Sequence, residues 1–558
     1  MGRGPLVLAG VLTLVYLGTF SGLDDGMVLG NDAIPYAVEQ ARGAAHVSPH
    51  HLLFHPLVSL VRGLLAPLAH DQLSLRGPLG LAMTAQTLVS ALGGGLAAAA
   101  FLAATRRLVG GGLLPWALTL VLAASAGHWL YASVGETYLP AIAAQTALVG
   151  LALVLRVERD GQATGRETAA LAALLLLAVL LRQDSVLVTA AVVLLLAPRS
   201  AVVVVGAAGG SALAIYFGAW VFGGAAISGG PDHVVGFLPW LRGLADTGLW
   251  GGGLSAGKLQ VAGSLSLAAL AYPTYYAAQA AATGGATLEQ GLVELALGLA
   301  PVLLLVLAVL AGRRRGVPTE PTGPRRRAAL ALAAFLVLRL GFFTWWQPGN
   351  LEYHAGHLAP ALLLVAVLLR PGRAEPGPAA ALVPRLVLLA GAVTLAGNWV
   401  ALIEPNRTRD LHAVADEAMA TVAPGGLVLS LDRLGHYANL RAAGTTARHV
   451  EPPLLLMDAS DVAAGVDLET LDQLRGAIRS TLKRLGALPT GTPGGAPAVV
   501  ATRDRILPPR FEHAPWPLDW STGDHAGGMG RLVEGFLALP LDPVAGVESG
   551  LWELRPAP

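Results

Sequence analysis

Long apolar runs follow one another through residues 1–403, each closed by arginine or by glycine and proline. Crossing a bilayer as a helix takes about 20 apolar residues. Runs that reach or approach this length cover Pro5–Phe20, Leu79–Thr105, Leu113–Tyr131, Tyr138–Val157, Thr168–Leu181, Ser185–Ala197, Ala201–Phe222, Leu288–Ala311, Ala328–Trp345, His357–Leu369 and Leu386–Ile403. They predict an α-helical polytopic membrane protein of about eleven spans. The runs starting at Thr168, Ser185 and His357 are short, which reads as tilted pieces or half-helices. The first run reads as a span rather than a signal peptide, because Arg3 alone makes a weak n-region and no A-x-A site follows.

The polar breaks divide the basic residues unevenly. Arg3, Arg106, Arg107, Arg156, Arg159, Arg166, Arg199, Arg313 to Arg315, Arg325 to Arg327, Arg370, Arg373 and Arg385 fall on one set of connections. Arg42, Arg62, Arg76, Arg182, Arg242 and Lys258 fall on the other, in longer loops. Excess positive charge marks cytoplasmic loops. The N-terminus is therefore expected in the cytoplasm, with the chain in a plasma (inner) membrane of the cell envelope. Three regions are expected outside it: a first loop over 21–78, a second over 223–287, and everything after about Glu404. The second loop carries Trp240, Trp250, Tyr272, Tyr275 and Tyr276, which suits a segment resting at the lipid headgroups.

After residue 403 the apolar runs shorten and charges return. Asp467 is placed to cap a helix to Leu485, with leucine and isoleucine at helical spacing and Gly486 beyond its end. Leu427–Leu431 and Ala498–Thr502 read as buried strands. Residues 404–558 are thus expected to form an extracytoplasmic α/β domain beside a transmembrane domain over 1–403. No G-x-G-x-x-G follows a strand, so no dinucleotide site is read there.

Composition agrees with the pattern. The chain is 54% hydrophobic and 13% charged, about half the charge of an average soluble protein. The net charge of +1 argues neither for nor against a nucleic-acid partner; no strongly basic, aromatic-interleaved patch appears, which sets such a partner aside. The chain has no cysteine, which removes disulfides, thiolate nucleophiles and cysteine metal sites.

Candidate chemistry gathers in the polar breaks expected outside. The first loop holds Asp24, Asp25 and Asp32, then His50, His51 and His55. Asp32, in Asn31-Asp32-Ala33-Ile34-Pro35-Tyr36, is able to take a proton or to orient a nucleophile; it also fits a helix cap or a turn before Pro35. Asp24 and Asp25 fit a solvated turn, and a metal there would need further oxygen ligands. His51 and His55 lie one helical turn apart. Together with His50 they suit phosphate contact better than zinc, or simply an amphipathic helix at the interface. Glu136 sits in a tight turn that needs no acid, Gly135-Glu136-Thr137-Tyr138. Arg182 and Asp184 stand at the edge of a span, either as functional groups or as a mutual ion pair. Glu352 and His354 follow the Trp345-Trp346 belt, and Arg339 lies within a span. Acids at one rim, rather than at mid-span on broken helices, argue against an ion-coupled transporter.

The segment Asn31-Asp32-Ala33-Ile34-Pro35-Tyr36, followed by His50-His51-Leu52-Leu53-Phe54-His55-Pro56, resembles the acid-x-x-x-Tyr and His/Pro segment of the GT-C class of polytopic glycosyltransferases. That class includes protein O-mannosyltransferases and lipid A aminoarabinose transferases. Gly135-Glu136-Thr137-Tyr138 resembles its second-loop acid–Tyr element, and Pro348-Gly349-Asn350-Leu351-Glu352-Tyr353 a late external loop. The resemblance covers about residues 1–400. It implies a GT-C-like fold and transfer of a sugar from a polyprenyl-phosphate-linked donor to a hydroxyl of a protein, lipid or glycan acceptor, outside the cytoplasm. It implies Asp32 as the catalytic base. Asp24, Asp25, Tyr36, His50, His51, His55, Glu136, Tyr138, Arg182, Asp184, Glu352 and His354 would then bind substrate, with Arg182 and the histidines on the donor phosphate. No cofactor or metal is implied. A transporter or flippase of a lipid-linked substrate and a non-catalytic membrane scaffold are the other classes the sequence allows.

Overall fold

The computed structural model of the chain describes residues 3–19, 36–37, 40–41, 49–68, 77–223, 236–242, 254, 256–274, 288–313, 323–346, 351–369 and 381–403, and five short strands after them. Asp24, Asp25, Asp32 and the helix expected over 467–485 lie outside the described residues.

The apolar runs are helices. In order they are α1 (Arg3–Leu17), α2 (Phe54–Leu65), α3 (Gly77–Val109), α4 (Leu113–Ala124), α5 (Ala126–Ser133), α6 (Tyr138–Arg159), α7 (Gly165–Leu181) and α8 (Val188–Leu195). Then follow α9 (Pro198–Gly223), α10 (Phe237–Arg242), α11 (Ala256–Leu270), α12 (Leu288–Arg313), α13 (Gly323–Trp346), α14 (Leu351–Leu369) and α15 (Leu382–Asn398). Among the described residues, seven helices are long and apolar enough to cross a membrane, or eight if the bent pair α4–α5 is one span. The expected count of about eleven includes α1, α7 and the run across α8, which are shorter than that test requires.

Two departures from simple spans shape the interior. At Ser125 the chain bends by 61° between α4 and α5. The carbonyls freed there and at the end of α11 are taken by Asn398, whose Nδ2 donates to Ala124 O at 2.8 Å and Leu270 O at 3.0 Å. Its Oδ1 accepts from Tyr272 N at 2.8 Å. Just beyond, Trp399–Ile403 is a π-helical turn. The second departure is a hairpin. A capping box between Thr164 and Glu167 starts α7. The helix stops at Arg182, whose backbone is extended, and a 3₁₀ turn (Gln183–Leu187) sends α8 back. Ala197 N donates to Gly161 O at 3.0 Å, so both feet of the hairpin stand at one level.

Helix α3 is the central post, packed against α1, α5 and α6. Its Gly93-Gly94-Gly95 step lets three neighbours reach its backbone. A Cβ on Gly93 would meet Pro140 N of α6 at 2.5 Å, and one on Gly94 the Ala132 Cβ of α5 at 2.6 Å. One on Gly95 would strike the Ala9 carbonyl of α1. Small residues at contacts allow such close packing where the lipid offers no hydrophobic drive.

The 22 residues of α6 span about 33 Å, close to the bilayer core thickness. One end of the bundle carries exposed pairs: Arg107–Glu158, Arg156–Asp160, Arg327–Asp160 and Arg159–Glu167. The other end carries Tyr138, the tip of the α7–α8 hairpin and the start of α14.

In the C-terminal part, β1 (Leu427–Leu429), β2 (Arg448–Val450), β3 (Val499–Ala501), β4 (Leu541–Pro543) and β5 (Trp552–Leu554) form one sheet in the order β2-β1-β3-β5-β4. β1 pairs in parallel with β2 and β3, and β5 is antiparallel to β3 and β4. β1 and β3 coincide with the two runs read as strands. Parallel neighbours need long crossover connections, and the chain between β1 and β2 and that between β2 and β3 are long enough to make them.

Candidate active site

Arg182 is the centre of the hairpin tip and is 6% exposed. Its Nε and Nη2 donate to the two carboxylate oxygens of Asp184 at 2.9 and 3.0 Å. Its Nη1 donates to Thr137 Oγ1 at 3.1 Å. The guanidinium lies over the Tyr138 ring, 3.5 Å from its centroid, and 5.6 Å from that of Tyr353. The extended backbone at Arg182 and the 3₁₀ turn after it bring the carboxylate two residues on into this fork, a bidentate pair stronger than a single charged hydrogen bond. The ion-pair reading of Arg182 and Asp184 is thus realised, with Arg182 buried and Asp184 half-buried.

The first loop reaches this corner. Leu53 N donates to Leu180 O at 2.8 Å, and the turn Pro49–His51 packs on the hairpin tip. His50 lies in the electrostatic surroundings of Asp184, and His51 in those of Arg182. Burial, the Arg182 charge and the neighbouring His50 and His55 hold the His51 imidazole well below its ordinary pKa. His51 is therefore neutral at pH 7, a hydrogen-bonding group rather than a cation. Tyr36 sets its ring edge-on to His55 at 4.7 Å and His51 at 5.7 Å. Gln40 ties this segment to α2: its Nε2 donates to His55 O at 3.2 Å, and its Oε1 accepts from Ser59 at 2.8 Å. Its carbonyl accepts from Arg62.

The turn before α6 and the start of α14 close the other side. Glu136 is fully buried in the turn before α6, with its carbonyl accepting from Ser90 Oγ at 2.6 Å. Glu136, Glu352, Tyr353 and Arg182 all lie in the electrostatic surroundings of Tyr138. Tyr353 stacks on Phe343 at 4.6 Å and meets Tyr138 at 6.0 Å, giving an aromatic wall. His354 is buried, with Nδ1 at 2.9 Å from Ser266 Oγ. Ser266 spends its own proton on Ala262 O. In the neutral ring, Nδ1 of His354 must then carry the proton and Nε2 the lone pair.

Among the described residues the structure thus gathers His50, His51, His55, Tyr36, Glu136, Tyr138, Arg182, Asp184, Glu352 and His354 at one end of the bundle. The described part of the site also has members that the loops did not advertise. Thr137 and Ser185 look unremarkable in sequence. Gln145 and Arg339 lie inside apolar runs, where a polar residue is itself the signal. Gln145 Nε2 donates to Ser185 Oγ at 2.8 Å, and Arg339 Nη1 donates to Gln145 Oε1 at 3.1 Å. No group of three or more metal-ligating side chains gathers among the described residues.

No protein-family model matches the chain, and no curated protein matches it in sequence. Among solved structures it matches the crystal structure of ArnT from Cupriavidus metallidurans bound to undecaprenyl phosphate, with a TM-score of 0.51 and 13% identity. That match covers 90% of this chain and 93% of the other. The apo structure of ArnT from the same organism gives a TM-score of 0.31 and 16% identity, over 83% of this chain and 95% of the other. The fold likeness rests on the first alone. It bears out the GT-C-like architecture of a multi-pass membrane protein.

Proposed function

We propose that the chain is a glycosyltransferase that takes a sugar from a polyprenyl-phosphate donor and passes it to a hydroxyl on the extracytoplasmic face. The observation that carries this reading is the convergence of three loop segments on one buried Arg182–Asp184 pair, walled by Tyr138 and Tyr353. A fold shared with a protein crystallised on undecaprenyl phosphate supports it.

Asp32 takes the proton of the acceptor hydroxyl as its oxygen attacks the anomeric carbon. The bond from that carbon to the phosphate oxygen breaks, and polyprenyl phosphate leaves with the electron pair. One base and a stable leaving group suffice for this displacement. Arg182, tied to Asp184, and the histidines His50, His51 and His55 line the phosphate side. Glu136, Glu352 and His354 supply acceptors for the sugar hydroxyls, and the tyrosine wall suits the apolar face of a pyranose. By this reading Asp24 and Asp25 contact substrate, and the domain after residue 404 recognises the acceptor.

The test is release of free polyprenyl phosphate and transfer of labelled sugar in membranes holding the full chain. Asp32→Asn is expected to cut turnover by about a hundredfold or more while leaving donor binding intact. Full turnover in that variant would remove Asp32 from the reaction. A second reading, translocation of an intact lipid-linked substrate, draws on Arg339 and Gln145 inside the bundle. It calls for lipid-linked sugar to change leaflet with no polyprenyl phosphate released. A cysteine introduced at position 350 tests the face: it is expected to label from outside, and labelling only after the membrane is opened would overturn that orientation.

A further inference from the structure

Two buried guanidiniums stand in this end of the bundle, and their surroundings differ. Arg182 is neutralised. Three of its N–H groups are spent on Asp184 and Thr137, and Tyr138 covers its face. Arg339 is 4% exposed, and its Nη1 donates to a neutral amide oxygen, Gln145 Oε1. Its Nε is buried and meets no hydrogen-bond partner among the described residues. The carboxylate that acts on it, Asp184, is already held by Arg182 in a two-pronged pair.

The seat of Arg339 is built. The guanidinium packs against Gly356 of α14, where a Cβ would come within 2.9 Å of Cζ. Phe343 faces it, 5.2 Å from the ring centroid. Gln145 is fixed in turn, because Nε2 is committed to Ser185 and only Oε1 is left for the arginine. Arg339 lies about seven residues below the end of α13, or ~10 Å inside the rim. A cation at that depth with a single neutral partner is costly to keep, and its remaining donors form the planar fork that matches an oxyanion.

We propose that Arg339 is the oxyanion-binding residue of the site, taking either the phosphate of the lipid-linked donor or a carboxylate on the transferred sugar. This rests on the transferase reading for its choice of ligand. Arg182 is then a positioning residue that ties Thr137 and Tyr138 to the hairpin tip.

The test uses the full chain in lipid nanodiscs with three probes: a short polyprenyl phosphate, the matching polyprenol, and inorganic phosphate. Wild-type protein is expected to prefer polyprenyl phosphate over polyprenol by about tenfold or more. Arg339→Gln removes that preference, Arg339→Lys keeps part of it, and Gly356→Ala lowers it without removing a charge. Melting curves for each variant check folding; where Arg339→Gln does not fold, Arg339→Lys and Gly356→Ala carry the comparison. If Arg339→Gln keeps the preference but loses selection of acidic over neutral sugars in donor competition, the carboxylate is the source. If preference and sugar selection are both unchanged in these variants, the proposal is overturned while the transferase reading stands. If the wild type shows no preference yet binds inorganic phosphate through Arg339, the oxyanion site stands and the transferase reading falls.

Discussion

At one end of the bundle Arg107 meets Glu158, Arg156 and Arg327 share Asp160, and Arg159 meets Glu167, with side chains 15–52% exposed. At the other end Arg182 meets Asp184 with side chains 7% and 19% exposed, and Arg339 and Glu352 are buried. The residue types are the same, and the solvent is not. Water screens the first set, so each pair is worth little and any one is replaceable. Burial multiplies both the attraction and the desolvation cost of the second set, so each group there must be held or must hold something. The exposed end keeps its charges in water; the buried end holds the candidate site.

The sharpest way to break this comparison is Asp184→Ala. It leaves Arg182 buried without its carboxylate and is expected to cost about 3–5 kcal/mol, read as a lowered melting temperature in detergent. A loss below ~1 kcal/mol would mean that water already reaches the pair. Next comes Asn398→Leu, a buried polar hub without charge. Losing its bonds to Ala124, Leu270 and Tyr272 is expected to cost about 2–3 kcal/mol by the same measurement. It separates the effect of burial from that of charge.

Two titrations carry the comparison to smaller effects. His51 has a lowered folded pKa, so it costs nothing above its ordinary value of about 6.5. As pH falls below that, the unfolded chain takes up a proton that the folded site refuses, and stability drops. Wild-type protein is expected to lose melting temperature between pH 7 and 5 relative to His51→Gln; parallel curves would show that His51 is solvated. Glu167 is the exposed counterpart. The Thr164 backbone N–H, and then Arg159, hold its folded pKa at about 2 against an ordinary 4.5. Its contribution is complete above about pH 4.5 and is lost as pH falls through 2. Wild type and Glu167→Gln should therefore differ slightly at pH 6 and converge near pH 2; a gap unchanged at pH 2 would exclude this pair as its source.

Much of the helical frame was legible because hydropathy is a local property. Every long apolar run is a helix, and among the described residues Arg107, Arg156, Arg159 and Arg327 of the arginine-rich breaks fall together at one end. The break at Ser125 was not legible, because no proline marks it; a distant Asn398 supports the bend. The short runs at Thr168 and Ser185 suggested half-helices but not that they fold back on each other with Arg182 at the tip. Arg182 and Asp184 were visible as a pair, whereas the saturation of the arginine by Thr137 and Tyr138 was not. Asp32, Asp24 and Asp25 remain expectations from the first loop, outside the described residues.

The amino-acid sequence by itself determined that this chain lies in a membrane, which stretches are helical, which ends carry charge, and which loops hold acids and histidines. Each of these follows from the composition of a short window, since a run of apolar side chains in lipid has no stable choice but helix. Only the tertiary structure decided which charges neutralise one another and which are left to act. Pairs such as Arg339 with Gln145, or Asn398 with Ala124, join residues far apart in the chain. Their partners are set by how the helices pack, and that geometry is not written in any single segment.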